Sequence, residues 1–121
     1  MNMTSIEKLV AKGESDRVEL KKSTAQLKGA GQTLCAFLNA EAGKVVFGVT
    51  DNGKVVGQEV SDKTRREIAA MLDRFEPPAP IEVTYLDIPG GSKKVIVLDA
   101  PPRKATSKVS IGIFAAENAP R

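Results

Sequence analysis

Glu14, Glu19, Lys21 and Asp51 are the residues of this chain whose types and spacing could carry out chemistry. Glu19 and Lys21 stand two apart, so on a strand both side chains project to one side. A carboxylate beside an ammonium suits phosphodiester hydrolysis. The carboxylate holds a divalent cation, and the lysine steadies the attacking water or the anionic transition state. The same spacing also makes a plain ion pair on a solvated strand. Asp51 falls in Thr50-Asp51-Asn52-Gly53, where Asp and Asn are ordinary turn residues. It joins the chemistry only if that turn lies beside the strand carrying Glu19. Three converging carboxylates repel one another, and an octahedral Mg²⁺ or Mn²⁺ relieves the repulsion while supplying a Lewis acid. Glu14, Glu19 and Asp51 are therefore the candidate metal ligands, and Lys21 completes the candidate catalytic set.

Composition narrows the alternatives. The 121 residues include no histidine and one cysteine, Cys35. Histidine acid–base pairs, Ser-His-Asp triads, His-ligated metals, internal disulfides and Cys-rich zinc sites are excluded. Tryptophan is absent and the aromatics are one Tyr and four Phe, too few for a broad base-stacking platform. The glycines form neither Gly-x-Gly-x-x-Gly nor a phosphate loop ending in Gly-Lys-Ser/Thr, so a nucleotide cradle is unsupported. Eighteen Lys and Arg against fifteen Asp and Glu give a net charge of +3, a mild lean toward polyanions. Basic residues come in pairs at Lys21-Lys22, Arg65-Arg66, Lys93-Lys94 and Arg103-Lys104. Lys22, Arg65, Arg66, Lys93 and Lys94 are the candidate nucleic-acid contacts, although scattered pairs also describe any solvated surface. No apolar run approaches the ~20 residues that span a bilayer. The opening residues lack a basic stretch followed by an apolar one, so no leader is expected. An unpaired Cys35 in an apolar segment fits a core position and a reducing cytoplasm.

The elements that must position these residues follow from periodicity. A first helix over Ile6, Leu9 and Val10 is capped by Ser5 and stopped by Gly13. Val18 and Leu20 alternate with Arg17, Glu19 and Lys21, which predicts a short strand with one wet face. Leu27, Ala30, Leu34, Phe37 and Leu38 recur at helical steps and predict a helix from about Thr24 to Ala42. Gly29 and Gly31 weaken its start, which moves the first firm turn toward Gln32. Lys44–Val49 and Lys54–Gly57 read as a hairpin around Asn52-Gly53. Ser61 or Asp62 caps a third helix with Ile68, Met71, Leu72 and Phe75 buried, ended by Pro77, Pro78 and Pro80. Ile81–Ile88 and Lys94–Leu98 are strands, the second inside the sheet. The expected fold is α+β: a mixed sheet of about five or six strands in the order α-β-α-β-β-α-β-β, with helices on one face or one end. The domain is expected to occupy 1–102. Residues 103–121 read as a divergent or truncated tail in which 109–116 could add an edge strand.

Three ordered segments resemble the Schlafen AlbA-type domain family. Glu14-Ser15-Asp16-Arg17-Val18-Glu19-Leu20-Lys21-Lys22-Ser23 is similar to its opening Glu-Ser-x-x-x-Glu-Phe-Lys motif. Cys35-Ala36-Phe37-Leu38-Asn39-Ala40 is similar to its Ala-Phe-Ala-Asn helix end. The stretch from Gly43 to Gly57 resembles its glycine-rich hairpin with an embedded aspartate, and Pro77-Pro78 and the apolar strand ending at Ala100-Pro101 also fit. The likeness runs from about residue 13 to 102. Departures are Lys44 where the family has a second glycine, Leu20 for Phe, and a tail without the family's closing Tyr-x-Arg-x-Gly pattern. The resemblance implies an α+β domain that associates with nucleic acid. In bacteria and archaea such domains often accompany helix-turn-helix regions and are described as transcriptional regulators or ATP-binding proteins. In animal Schlafen proteins, paired copies clasp tRNA-like RNA and cut it at a three-carboxylate metal site. Matched residue by residue, Glu14, Glu19 and Asp51 take the acidic positions and Lys21 the lysine. The resemblance thus implies a Mg²⁺- or Mn²⁺-dependent endoribonuclease, RNA favoured over DNA, and a homodimer to supply the second lobe. The alternative is a non-catalytic DNA- or RNA-binding regulatory module in which the carboxylates are structural.

Overall fold

A computed structural model of the chain describes residues 1–102 and 110–111. Helix α1 spans Met3–Lys12, strand β1 Val18–Lys21, helix α2 Leu27–Asn39, strand β2 Gly43–Phe47 and helix α3 Asp62–Leu72. Strands β3 Phe75–Glu76, β4 Glu82–Asp87, β5 Lys94–Ala100 and β6 Ser110–Ile111 follow. The fold is α+β with a mixed four-stranded sheet in the order β1-β2-β5-β4. β1 runs parallel to β2 after crossing over through α2, whereas β5 is antiparallel to both β2 and β4. Strand β5 is therefore interior, as its unbroken apolar run predicts. β3 and β6 form a separate two-stranded pair. The remainder of the predicted edge strand over 109–116, and the pair Arg103-Lys104, lie outside the described residues.

Helices cover both faces of the sheet, not one. Val45, Phe47, Ile96, Leu98 and Ala100 face α2 and α3, joining Ala30, Leu34, Phe37 and Ile68 in the larger core. Val46, Val95 and Val97 face the other way and pack on Ile6 and Val10 of α1. The alternation along β2 and β5 explains this split, because successive side chains of a strand point to opposite faces. Both faces are apolar, so both need a cover. Each fully buried Val, Leu, Ile or Phe contributes about 1.5–3 kcal/mol of hydrophobic stabilisation.

Local signals account for the helix ends. Asn2, rather than Ser5, caps α1, accepting the Ser5 N–H on its side chain. Ser61 caps α3 in a reciprocal box with Thr64. Helix α2 starts at Leu27 despite its glycines, after a 3₁₀ turn at Thr24–Gln26. Burial of Ala30 and Gly31 overrides the weak helix propensity of the glycines. At Gly43 a side-chain carbon would run into the Phe37 ring, so glycine lets α2 turn tightly into β2.

The predicted hairpin is the main departure. The turn forms, but the return segment makes only an isolated bridge, Val49 with Val55. The cause lies at Gly48, whose φ of 107° bends the chain out of the sheet. Its carbonyl accepts from both Val56 N–H and Gly57 N–H, at 2.8 and 2.9 Å. β2 instead pairs with β1 and β5. The main sheet consequently has four strands rather than five or six, and among the described residues a single strand, β2, stands between α2 and α3 where two were expected.

Candidate functional site

Strand β1 brings two of the candidate residues together by its own pleat. Glu19 and Lys21 project toward α2, and Leu20 projects toward α1. Glu19 Oε2 accepts a 2.9 Å hydrogen bond from the Thr33 hydroxyl of α2. Lys21 Nζ lies 3.3 Å from the same oxygen. Burial pushes the Glu19 carboxyl up, but the Thr33 hydrogen bond and the adjacent Lys21 ammonium more than offset it. The net direction is downward, so Glu19 is ionised at neutral pH. Sequence spacing correctly places Glu19 beside Lys21. Thr33 has no signal in the sequence, because its partner lies fourteen residues away across a helix–strand contact.

Glu14 sits on the connection from α1 to β1. Its Oε2 accepts the Leu20 N–H at 2.9 Å. Ser15 and Val18 exchange backbone hydrogen bonds of 3.0 and 3.3 Å, and Lys22 N–H donates to Gln26 Oε1 at 3.1 Å. The outer margin of β1 is thus satisfied by residues close to it in the chain. Two groups of β2's continuation, Gly48 N–H and Val49 N–H, both donate to Lys21 C=O on the inner margin.

Asp51 lies at the tip of a turn in which Thr50 N–H donates to Lys54 C=O and Gly53 N–H to Thr50 C=O, each at 2.9 Å. The turn faces Glu14 across a cavity of about 490 Å³, lined also by Val10, Leu20 and Thr50. Two of the three candidate carboxylates, Glu14 and Asp51, therefore line one cavity, while Glu19 is held against α2 by Thr33 and Lys21. Hard carboxylate oxygens are the donor type Mg²⁺ and Mn²⁺ take. As placed, however, the set does not fit an ion: among the described residues no three of His, Cys, Asp and Glu gather as a metal-holding group. One Glu14 oxygen serves the Leu20 N–H, and one Glu19 oxygen serves Thr33 and Lys21. No hydrolytic step is derived through a metal from this arrangement.

The candidate nucleic-acid contacts differ in their surroundings. Lys94 is ion-paired with Asp87 directly across from it in the β4–β5 register. Lys44 makes the equivalent cross-strand pair with Asp99 at 2.7 Å, and Arg17 pairs with Glu41. Lys22, Arg65, Arg66 and Lys93 are exposed. Among the described residues none of these four is in an ion pair. Arg65 lies over the Tyr85 ring with its guanidinium carbon 4.1 Å from the centroid. Tyr85 carries no sequence signal for this role beyond its place on an alternating strand. Gln58 is a further residue that spacing misses. It latches the start of α2 to the sheet, accepting Thr24 N–H at 2.9 Å and donating to the Thr24 hydroxyl at 3.0 Å. Its backbone exchanges two 2.9 Å hydrogen bonds with Lys94.

No helix among the described residues is long and apolar enough to cross a membrane. A family model described as Schlafen, AlbA_2 matches residues 14–116, a span that contains every candidate residue above. No curated protein matches the chain.

Proposed function

Since the chain belongs to the Schlafen AlbA_2 family, we propose that it is a nucleic-acid-interacting domain that binds through exposed cations and uses Glu14 and Glu19 structurally. The observation that supports this reading is a division of charge. Glu14 and Glu19 are engaged by groups of the fold itself, while Lys22, Arg65, Arg66 and Lys93 stand exposed without ion pairs among the described residues. Cations that no carboxylate neutralises are the ones able to release counterions from a phosphate backbone. RNA of tRNA-like shape is the favoured partner over DNA, a homodimer the favoured assembly, and the cytoplasm the favoured setting. The test is fluorescence anisotropy with tRNA, single-stranded RNA and duplex DNA at about 50 and 200 mM salt. Binding that weakens steeply with salt supports the reading. Absence of binding to all three at low salt overturns it. A strictly monomeric protein in sedimentation at micromolar concentration removes the dimer.

The shared cavity of Glu14 and Asp51 favours a second reading, a Mg²⁺- or Mn²⁺-dependent endoribonuclease. In that reading Glu19 would have to leave its hold on Thr33 to join Glu14 and Asp51 as a metal ligand, with Lys21 near the reacting phosphate. RNA cleavage that requires Mn²⁺, stops with chelator and is lost in Glu19→Ala supports it. RNA that is bound and left intact under the same conditions returns the domain to binding alone.

A further inference from the structure

We infer that Arg65, laid against Tyr85, is a fixed phosphate-binding point of the nucleic-acid surface, with Tyr85 as its positioning residue; this rests on the nucleic-acid reading above. Three observations converge on it. First, the guanidinium carbon lies over the Tyr85 ring, 4.1 Å from its centroid. Among the described residues the Arg65 guanidinium N–H groups donate to no acceptor, so the fork is left for a ligand. That planar fork is the group best matched to two oxygens of one phosphate. Second, the backbone beneath Arg65 is held at both ends. The Ser61–Thr64 capping box fixes the residues just before it, and Ile68 and Met71 are buried just after it. Tyr85 is fixed in turn within β4, paired to Ile96 of β5, and packs against the larger core. Third, Arg65 differs from cations that the fold neutralises. Lys94 and Lys44 each face a carboxylate across the sheet, whereas Arg65 faces an uncharged ring and has no carboxylate partner among the described residues.

A flexible surface cation loses rotamer freedom when it grips a phosphate. A guanidinium already laid on a ring has surrendered much of that freedom before the ligand arrives. Arg65 is therefore set apart from Lys22 and Lys93, for which no such support is seen. The bland role for the same geometry is that the arginine merely shields one face of Tyr85 from water. The two roles differ in what they predict for binding.

The experiment is anisotropy titration of labelled tRNA and single-stranded RNA with the full chain, across salt, with the melting temperature recorded for each variant. Arg65→Ala is expected to weaken binding about five- to tenfold and lower the salt slope by about one. Arg65→Lys keeps the charge and is expected to keep the slope while losing affinity, because the planar fork is gone. Tyr85→Phe keeps the ring and is expected to bind like the parent; Tyr85→Leu is expected to weaken binding about threefold with the slope unchanged. Lys8→Ala, on the α1 face, is the charge-matched control and is expected to stay within about twofold. If the parent binds and Arg65→Ala shows parental affinity and slope, the inference is overturned and the broader reading stands. Equal losses in Lys8→Ala and Arg65→Ala also overturn it, since the effect would be net charge alone. Failure of the parent to bind any nucleic acid removes the broader reading, and this one with it.

Discussion

On the α2 side of β1, Glu19 is half-buried and held by a hydroxyl and an ammonium at once. On the other side, Glu14 and Asp51 are exposed and border a cavity of about 490 Å³. The short connection from Glu14 to Glu19 separates a carboxylate locked into packing from carboxylates with room around them. The contrast shows that family-motif spacing fixes which residues are close in the chain but not which side of the sheet they serve.

The largest expected effect comes from breaking the support of the cavity side alone. A side-chain carbon at Gly48 would sit 2.8 Å from the Gly57 Cα, at a φ of 107°. Gly48→Ala is expected to cost about 3 kcal/mol in urea unfolding and to displace the Asp51 turn. Hydrogen exchange should then rise through 49–57 while α2 keeps its protection. Equal loosening of both sides would show that they are not independent.

On the locked side, Thr33→Val removes the hydroxyl that holds Glu19 and is expected to cost about 1 kcal/mol. It should also raise the Glu19 pKa, read by carboxyl NMR titration. Because that pKa is lowered in the folded protein, its stabilisation is complete above the unfolded-state value. It is lost as pH falls through the lower, folded-state value. The parent should therefore lose stability in the acid range below the ordinary glutamate value, and Glu19→Gln should flatten that loss. A parent and variant with superimposable acid profiles would remove the lock.

The smallest effect is expected for Asp51→Asn, within about 0.5 kcal/mol, since Asn suits the same turn and Asp51 is exposed. A markedly larger loss in calorimetry, or a gain from relieved repulsion with Glu14, would show that the two carboxylates are coupled across the cavity.

Elements with long apolar periods were legible in the sequence. The α1 and α2 stripes, the α3 stripe as far as Leu72, strand β4 and the buried run of β5 appear where periodicity predicts them, whereas Phe75, expected on the third helix, lies on β3, and the β1 face expected to be wet is partly buried against α2. Asn-Gly marked the turn at 50–53 correctly but over-extended it into a hairpin. Gly48, expected inside the first strand of that hairpin, is the bend that ends β2, and pairing partners across 44–100 cannot be deduced from local pattern. The covering of both sheet faces was equally hidden, because α1 shows an apolar stripe without showing what it packs on. At the site, Glu19–Lys21 proximity follows from strand period, whereas Thr33, Gln58 and Tyr85 act through contacts between distant segments.

The closure of β1's outer margin has a consequence for how this molecule meets its own copies. Val18, Leu20 and Lys22 would each offer an amide to an arriving strand, and each is already occupied by Ser15, Glu14 or Gln26. An intruding chain finds no template there, so edge-to-edge polymerisation of the cross-β kind is blocked on that flank. Glu14 therefore guards solubility whether or not it ever meets a substrate, and replacing it with alanine would reopen one rung of the ladder.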